Sequence, residues 1–245
     1  MTIRRDIVGA AGPCVRGKWA AWALAVACVL ACFAPAVARA GAIKGTVRYV
    51  GPPTEPRKLA VTVDQFVCGK EKNAEDLSLS PERGLRNAVV SLAAPPPDVP
   101  WRFSTAPVFL DQQQCVFIPR ITLVPAGGTV EFLNSDRLLH NIHSTGRANT
   151  VFNRTQPKGR TIPITFAKPE IVRIGCDLHG WMRAWVVVME HPFYAVTGAA
   201  GDFVLDRLSP GTYTLNVWHE ALGTVTKGVT LADGDVATVI DIGRK

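Results

Sequence analysis

The sequence has few charged and few aromatic residues: of 245 residues, 19% are charged, 8% are aromatic and only 3 are methionine. Beyond residue 40 it lacks the C-x-x-C-H haem-attachment motif, the G-x-S-x-G hydrolase turn, and the H-C-H and C-x3-C clusters of multinuclear copper centres. These absences predict that the protein is not an enzyme. A hydrophobic content of 47% excludes a disordered chain, while the charged residues exclude a membrane protein with many spans.

The basic residues are concentrated at the N-terminus. The formal net charge is +7, but five of the 27 basic residues and only one of the 20 acidic residues lie within residues 1–40. The rest of the chain therefore has 22 basic and 19 acidic residues, which is a net charge of +3. No basic stripe follows, so we expect no nucleic-acid partner.

Residues 1–40 have the pattern of an export signal. A basic segment precedes the apolar run 19–34, which is followed by Pro35 and the small-residue site Ala38-Arg39-Ala40. The run is short for a membrane-spanning helix. We therefore expect a cleaved signal peptide and a periplasmic or secreted protein without a transmembrane domain. A twin-arginine signal at Arg4-Arg5, a lipid anchor at Cys32 and an uncleaved anchor stay open as alternatives.

Loss of the signal leaves three of the six cysteines, Cys68, Cys115 and Cys176. In an oxidising compartment two of them can form a disulfide, and one is left over. Cys68 and Cys115 have no histidine close in sequence, whereas Cys176 lies three residues before His179. We therefore predict a disulfide between Cys68 and Cys115, and a metal-binding role for Cys176.

Beyond residue 40 the chain consists of short strand-like segments. Apolar and polar residues alternate in many of them, and turns rich in Gly and Pro separate them. This pattern predicts an all-β fold of the sandwich or barrel type, with residues 94–100 as a linker. The predicted strands are 42–50, 57–63, 85–92, 120–124, 129–133, 161–166, 170–175, 183–189, 194–197, 202–205, 212–218, 224–231 and 236–242.

Four candidate metal ligands lie between residues 120 and 189. Cys176, His179 and Met182 form a C-x2-H-x2-M motif, and His140 lies 36 residues before Cys176. A thiolate, two imidazoles and a weak thioether are the donors of a mononuclear blue-copper site. His143 competes with His140 as the upstream ligand, and a water or backbone oxygen competes with Met182, because methionine also fills cores. Zinc is an alternative metal, since it binds similar donors.

Residues 125–136 (PAGGTVEFLNSD), the following His140-Asn141 and the C-x2-H-x2-M loop resemble a cupredoxin of the amicyanin and plastocyanin type. The resemblance covers residues 105–190. It implies a Greek-key sandwich that binds one copper ion through His140, Cys176, His179 and Met182. It also implies that Asn141 ties the two ligand loops together through hydrogen bonds, and that the ring edge of His179 reaches the surface and passes the electron.

The flanking segments resemble a different family. Residues 195–205 (AVTGAAGDFVL) and 210–215 (PGTYTL) resemble a carboxypeptidase regulatory-like, or prealbumin-type, β-sandwich, and residues 42–50 and 85–92 resemble its opening strands. We therefore expect parts of this second sandwich over 41–93 and 191–245, with the cupredoxin over 105–190 inserted into it or docked on it. The combination is similar to exported bacterial proteins of the plastocyanin-like, methylamine-utilisation type.

These resemblances imply an exported protein with one type 1 copper ion that carries single electrons. Its partner would be a periplasmic dehydrogenase, a cytochrome or an oxidase, bound in a weak and transient complex. Two alternatives stay open. One is a cell-envelope protein that binds and delivers copper, and the other is a non-catalytic envelope binding module with a vestigial metal site.

Overall fold

A computed structural model describes residues 40–244, and within this range the chain is almost entirely β-stranded. The prediction of an all-β fold is therefore confirmed. The predicted export signal lies outside the described residues, apart from Ala40. Among residues 40–244, no helix is long and apolar enough to cross a membrane.

Eighteen strands follow one another along the described chain, interrupted by a four-residue helix, α1 (Gln65–Cys68), and a 3-10 turn (Glu75–Leu77). The strands are β1 (Gly41–Tyr49), β2 (Lys58–Ala60), β3 (Glu71–Asn73), β4 (Val89–Leu92), β5 (Val108–Gln113), β6 (Val116–Ile118), β7 (Ile121–Pro125), β8 (Gly128–Asn134), β9 (His140–Thr145), β10 (Asn153–Gln156), β11 (Ile162–Phe166), β12 (Glu170–Gly175), β13 (Arg183–Met189), β14 (Tyr194–Val196), β15 (Asp202–Leu208), β16 (Gly211–His219), β17 (Gly223–Leu231) and β18 (Val236–Ile242).

Strands β5 to β13 form a β-sandwich, here called the ligand sandwich. Its two sheets have the strand orders β10-β9-β12-β13-β7 and β11-β8-β5-β6. Side chains alternate between the two faces of each strand, and along β8 the buried residues are accordingly Val130, Phe132 and Asn134. Apolar side chains from both sheets, such as those of Leu110, Phe132 and Val186, form one core between the sheets.

Strands β1, β4 and β14 to β18 form a second sandwich, here called the flanking sandwich. Its sheets have the orders β15-β1-β18 and β14-β4-β16-β17, and its separate core includes Ile43, Leu205 and Leu215. The chain leaves this sandwich after β4 and returns with β14, which pairs directly with β4. The ligand sandwich is therefore inserted between two neighbouring strands. The relation of the flanking sandwich to carboxypeptidase regulatory-like domains stays a prediction.

A third apolar cluster joins the two sandwiches. Trp185 of β13 and Trp218 of β16 meet edge to face, with their ring centroids 5.4 Å apart. Beside them Arg120 donates to Glu220 through two nitrogens, and Nη2 lies 2.8 Å from Oε2. This ion pair is largely buried, so the two sandwiches are joined by a buried interface as well as by the chain connections. The buried members of the cluster are Val89, Ile121, Val187 and Met189.

Residues 58–73 lie within the range predicted for the flanking sandwich, 41–93, but pack on the ligand sandwich instead. Here β2 and β3 pair antiparallel, with α1 between them. Val61 and Cys68 are buried in the ligand-sandwich core, and Cys68 forms a disulfide with Cys115. The predicted disulfide is therefore present. The expectation that residues 58–73 belong to the flanking sandwich is corrected, because they pack on the ligand sandwich. We call residues 58–73 the cover.

Candidate metal centre

The register of two strands brings the separate ligand segments together. β9 begins at His140, and β12 ends at Gly175, one residue before Cys176. These strands pair antiparallel, with Gly175 opposite His143. Because paired strands run about 4.8 Å apart, the residues that follow Gly175 lie beside the start of β9. The sheet itself thus holds the upstream histidine next to the C-x2-H-x2-M loop.

Three of the predicted ligands meet at one point. Nδ1 of His140 lies 2.9 Å from Nδ1 of His179. The sulfur of Cys176 lies 3.9 Å from the first nitrogen and 3.7 Å from the second, and all three side chains are buried. The competing His143 is partly exposed and places its Nδ1 2.9 Å from Oδ1 of Asp177. The structure therefore groups His140, and not His143, with the other two.

Each of the two imidazoles has a carboxylate at its other ring nitrogen. Nε2 of His140 lies 2.9 Å from Oδ2 of Asp136, and Nε2 of His179 lies 3.0 Å from Oδ2 of Asp64. An ionised carboxylate only accepts hydrogen bonds, so each Nε2 carries the proton. In the neutral imidazoles both Nδ1 atoms then present lone pairs to each other and to the sulfur of Cys176. A cation shared by these three atoms would make this arrangement electrostatically favourable.

Asp136 is fixed from inside the ligand sandwich. Its carboxylate accepts the backbone N–H groups of Gln114 and Cys115, at 2.6 and 2.8 Å. Burial lowers the pKa of His140, and the hydrogen bond to Asp136 opposes that effect without reversing it. The neutral imidazole, which is the form that binds metal, is therefore favoured at this position.

Asn141 connects the two ligand segments. Its Oδ1 accepts the backbone N–H of Asp177 at 2.7 Å and lies 3.2 Å from the sulfur of Cys176. Its Nδ2 donates to Oδ1 of Asn153 on the neighbouring strand β10, at 2.8 Å. These bonds tie the start of β9 to the residue after Cys176, which is the contact that the cupredoxin resemblance implied for Asn141.

Met182 closes the ligand loop and is buried in the same core as Cys176. Its backbone N–H donates to the carbonyl of His179 at 2.8 Å. The Trp181 ring packs against His179 at 5.2 Å between centroids, and its Nε1 donates to the carbonyl of Cys115 at 3.0 Å. A buried thioether is typical of an axial ligand and of core filler alike, so the ligand role of Met182 stays a prediction.

The ring edge of His179 does not reach the surface, so that expectation is wrong. His179 is 1% exposed, because the cover lies over it and Asp64 binds its Nε2. Asp64 is a neighbour of the site that the sequence patterns do not reveal, since its contact with His179 spans 115 residues of chain. No local spacing motif connects the two residues.

The observed separations fit one shared metal ion. Metal–nitrogen bonds of about 2.0–2.1 Å and metal–sulfur bonds of about 2.3 Å place donors on one ion roughly 3–4 Å apart. The three separations given above, 2.9, 3.7 and 3.9 Å, agree with this range. A soft thiolate beside two imidazoles suits copper, although zinc binds the same donors.

No protein-family model matches the chain, and no curated protein matches it. Among solved structures it is similar to a copper-containing nitrite reductase from Thermus scotoductus SA-01, with 24% identity, a TM-score of 0.34, and 41% of this chain and 26% of that chain covered. It is also similar to a purple cupredoxin from Nitrosopumilus maritimus, with 23% identity, a TM-score of 0.30, and 34% and 99% covered. A reduced Cu(I) form of an amicyanin variant matches at 19% identity and a TM-score of 0.32, with 41% and 98% covered.

The chain thus spans about a quarter of the nitrite reductase, and each of these matches covers less than half of the chain. The assignment of the metal centre rests on the geometry of its own residues.

Proposed function

We propose that the protein is an exported cupredoxin that holds one copper ion and carries single electrons. The observation that carries the proposal is the convergence of two imidazole lone pairs, from His140 and His179, on the sulfur of Cys176 inside the protein. Bare lone pairs at 2.9 Å repel each other, and a metal ion between them turns this repulsion into coordination.

Bound copper supplies a one-electron exchange between Cu(I) and Cu(II), and the chain supplies a fixed set of donors. His140, His179 and Cys176 would provide two imidazoles and a thiolate, and Met182 would provide a weak thioether donor. Asp136 orients the His140 ring, while Asn141 holds Cys176 in place through the bonds described above. Because His140 begins β9 and the loop with the other donors is held between the paired strands β12 and β13, the donors need to move little when the charge at the centre changes.

Burial of the donors favours electron transfer over copper delivery. None of the three side chains is more than 4% exposed. A delivery protein must pass its ion from these donors to those of a partner, which requires direct access to the site, whereas an electron needs no ligand exchange. The intact donor set also argues against a vestigial site. We therefore propose a periplasmic dehydrogenase, cytochrome or oxidase as a transient partner, and no catalytic activity of the protein itself.

Metal analysis and an optical spectrum of the exported protein test this function. We expect one copper per chain and an intense visible thiolate-to-copper absorption. The Cys176→Ser variant should lose this band completely, because a hydroxyl does not replace the thiolate. Zinc-loaded wild-type protein is the control, because it should be folded but should lack the thiolate-to-copper band. A copper-loaded wild-type protein without the band, or a Cys176→Ser variant that keeps it, contradicts the proposal.

A further inference from the structure

The carboxylates that bind the two imidazoles are held in different ways. Asp136 is buried in the ligand sandwich and accepts two backbone N–H groups there. Asp64 belongs to the cover, and its side chain is 39% exposed. Although Asp64 precedes α1, its side chain does not cap that helix. The carboxylate points instead to Nε2 of His179, so its position depends on how the cover is attached.

The cover holds Asp64 in a tight turn. The backbone of Asp64 is in the left-handed region, with φ of 52° and ψ of 33°, a conformation that Asp tolerates better than most residues. Its carbonyl accepts the N–H groups of Val67 and Cys68, at 3.0 and 2.9 Å. On either side of the turn, Val61 and Cys68 are buried in the ligand-sandwich core. The carboxylate is therefore presented by a segment that is anchored at both ends.

A single disulfide connects the segments that hold the two carboxylates. Cys68 follows Asp64 by four residues, and its partner Cys115 donates its backbone N–H to Asp136. A second attachment lies close by, where Nζ of Lys72 donates to the carbonyl of Gln114 at 2.6 Å. Around Cys115 the cover is therefore fastened to the ligand sandwich by a covalent bond and a hydrogen bond, in addition to the buried side chain of Val61.

We propose that Asp64 is a positioning residue for His179 and that the Cys68–Cys115 disulfide holds Asp64 in place. This inference rests on the copper site proposed above. The carboxylate fixes the tautomer and the ring orientation of His179 and makes the imidazole a stronger donor. It also adds a negative charge near the centre, which favours Cu(II) over Cu(I). The cover excludes solvent from the ring edge that Asp64 binds.

The charge effect is tested by comparing two variants of the cover. Asp64→Asn removes one negative charge beside His179 and keeps the size of the side chain. Glu71→Gln is the matched control, because it removes one negative charge from the exposed Lys58–Glu71 pair of the same cover. For Asp64→Asn we expect the ratio of Cu(II) to Cu(I) affinity to fall at least tenfold, which is a rise in reduction potential of at least about 59 mV. For Glu71→Gln the change should be less than twofold, because this carboxylate pairs with Lys58 instead of a candidate ligand and is 58% exposed, so that solvent screens it.

The role of the disulfide in holding the cover is tested without copper. His179 is modified with diethyl pyrocarbonate, and the peptide that contains His179 is analysed by mass spectrometry. In the metal-free wild-type protein His179 should be protected. In the double variant Cys68→Ser, Cys115→Ser, His179 should react at least tenfold faster than in the wild-type protein. The copper-loaded double variant should also release its ion to a chelator faster than the copper-loaded wild type. If that variant does not fold, Asp64→Ala, which keeps the disulfide, should expose the same ring nitrogen.

The outcomes separate this inference from the proposed function. If Asp64→Asn matches Glu71→Gln in potential, or if His179 stays protected in the folded double variant and in Asp64→Ala, the inference is overturned while the copper site stands. If the wild-type protein binds no copper, the proposed function fails, and with it the tuning role of Asp64. Tenfold effects specific to Asp64 and to the disulfide support the inference.

Discussion

The two sandwiches have similar apolar cores but differ in the polar side chains that they bury. Among the described residues, the flanking sandwich buries the polar side chains of His191, Thr197 and His219. Burial of a polar group costs free energy unless it finds a partner, so a concentration of such groups requires a network of hydrogen bonds. In the ligand sandwich the buried polar residues are Gln112, Thr122, Asn134, Asp136, His140, Asn141, Ser144, Gln156 and His179.

Several of these polar side chains support the strand that carries His140. Gln156 stands opposite His140 in the pairing of β9 with β10. Nε2 of Gln112 donates to Oε1 of Gln156 at 2.7 Å, and Nδ2 of Asn134 donates to the Gln156 carbonyl at 2.8 Å. The ligand sandwich therefore has polar side chains in place of apolar packing at the end that holds the site. We expect the flanking sandwich to contribute mainly stability.

The largest expected effect is a loss of stability that leaves the metal centre intact. Leu215→Ala removes a fully buried side chain from the flanking core. It should lower the free energy of unfolding by about 2–5 kcal/mol in denaturant titrations. At temperatures where the variant is folded, its copper absorption should match that of the wild type. Val239→Ala, at an exposed position of β18, is the control and should change little. Loss of the band in folded Leu215→Ala protein would contradict the division of roles.

The next effect is a pH dependence that comes from the flanking sandwich. Burial lowers the pKa of His219 to about 4, and the nearby Glu220 opposes this only in part. The unfolded chain, with a histidine pKa of about 6.5, binds the proton more readily, so stability falls as the pH drops from about 6.5 toward 4. Between pH 7 and 4.5 the loss from this group is roughly 2 kcal/mol.

The variant His219→Gln should remove that part of the pH dependence. Urea titrations of metal-free protein at pH 7 and 4.5 measure it as the difference between variant and wild type. His143→Ala, measured in the same series, controls for a partly exposed histidine. An equal fall in stability for wild type and His219→Gln would show that the acid sensitivity lies elsewhere.

The smallest effect separates the two candidate upstream histidines. The ion pair of His143 with Asp177 is exposed, and such pairs contribute about 0–1 kcal/mol. His143→Ala should therefore change stability little and keep the copper absorption. His140→Ala should abolish that absorption, because it removes one of the converging donors. If the two variants behaved in the opposite way, His143 would be the ligand and the described grouping would be wrong.

The parts of the fold that could be predicted are those with strong apolar alternation. The predicted strands at 183–189 and 236–242 coincide with β13 and β18. β9 (HNIHST) and β10 (NRTQ) were not predicted as strands. Their polar side chains bind one another and the ligand loop, so the apolar pattern that marks other strands is absent there. The polar residues that form the site therefore remove the sequence pattern by which these two strands could have been predicted.

The site was predictable where its residues are close in sequence. Cys176 and His179 share one loop, and His140 is marked by the segment that precedes it. Asp64 was not predictable, because α1 beside it has only four residues and the contact with His179 is made by tertiary packing. The same holds for the pair of Arg120 and Glu220, which are 100 residues apart.

The pairing of β1 with β18 has a consequence for how the protein is made. These strands run parallel side by side, and Arg48 of β1 meets Asp241 of β18 across 193 residues of chain. The segment from β5 to β13 is contiguous and can mature early, while β1 emerges first and must wait for the last strand. Until then its edge is open to pairing with other chains. Aggregation during synthesis should therefore begin at β1.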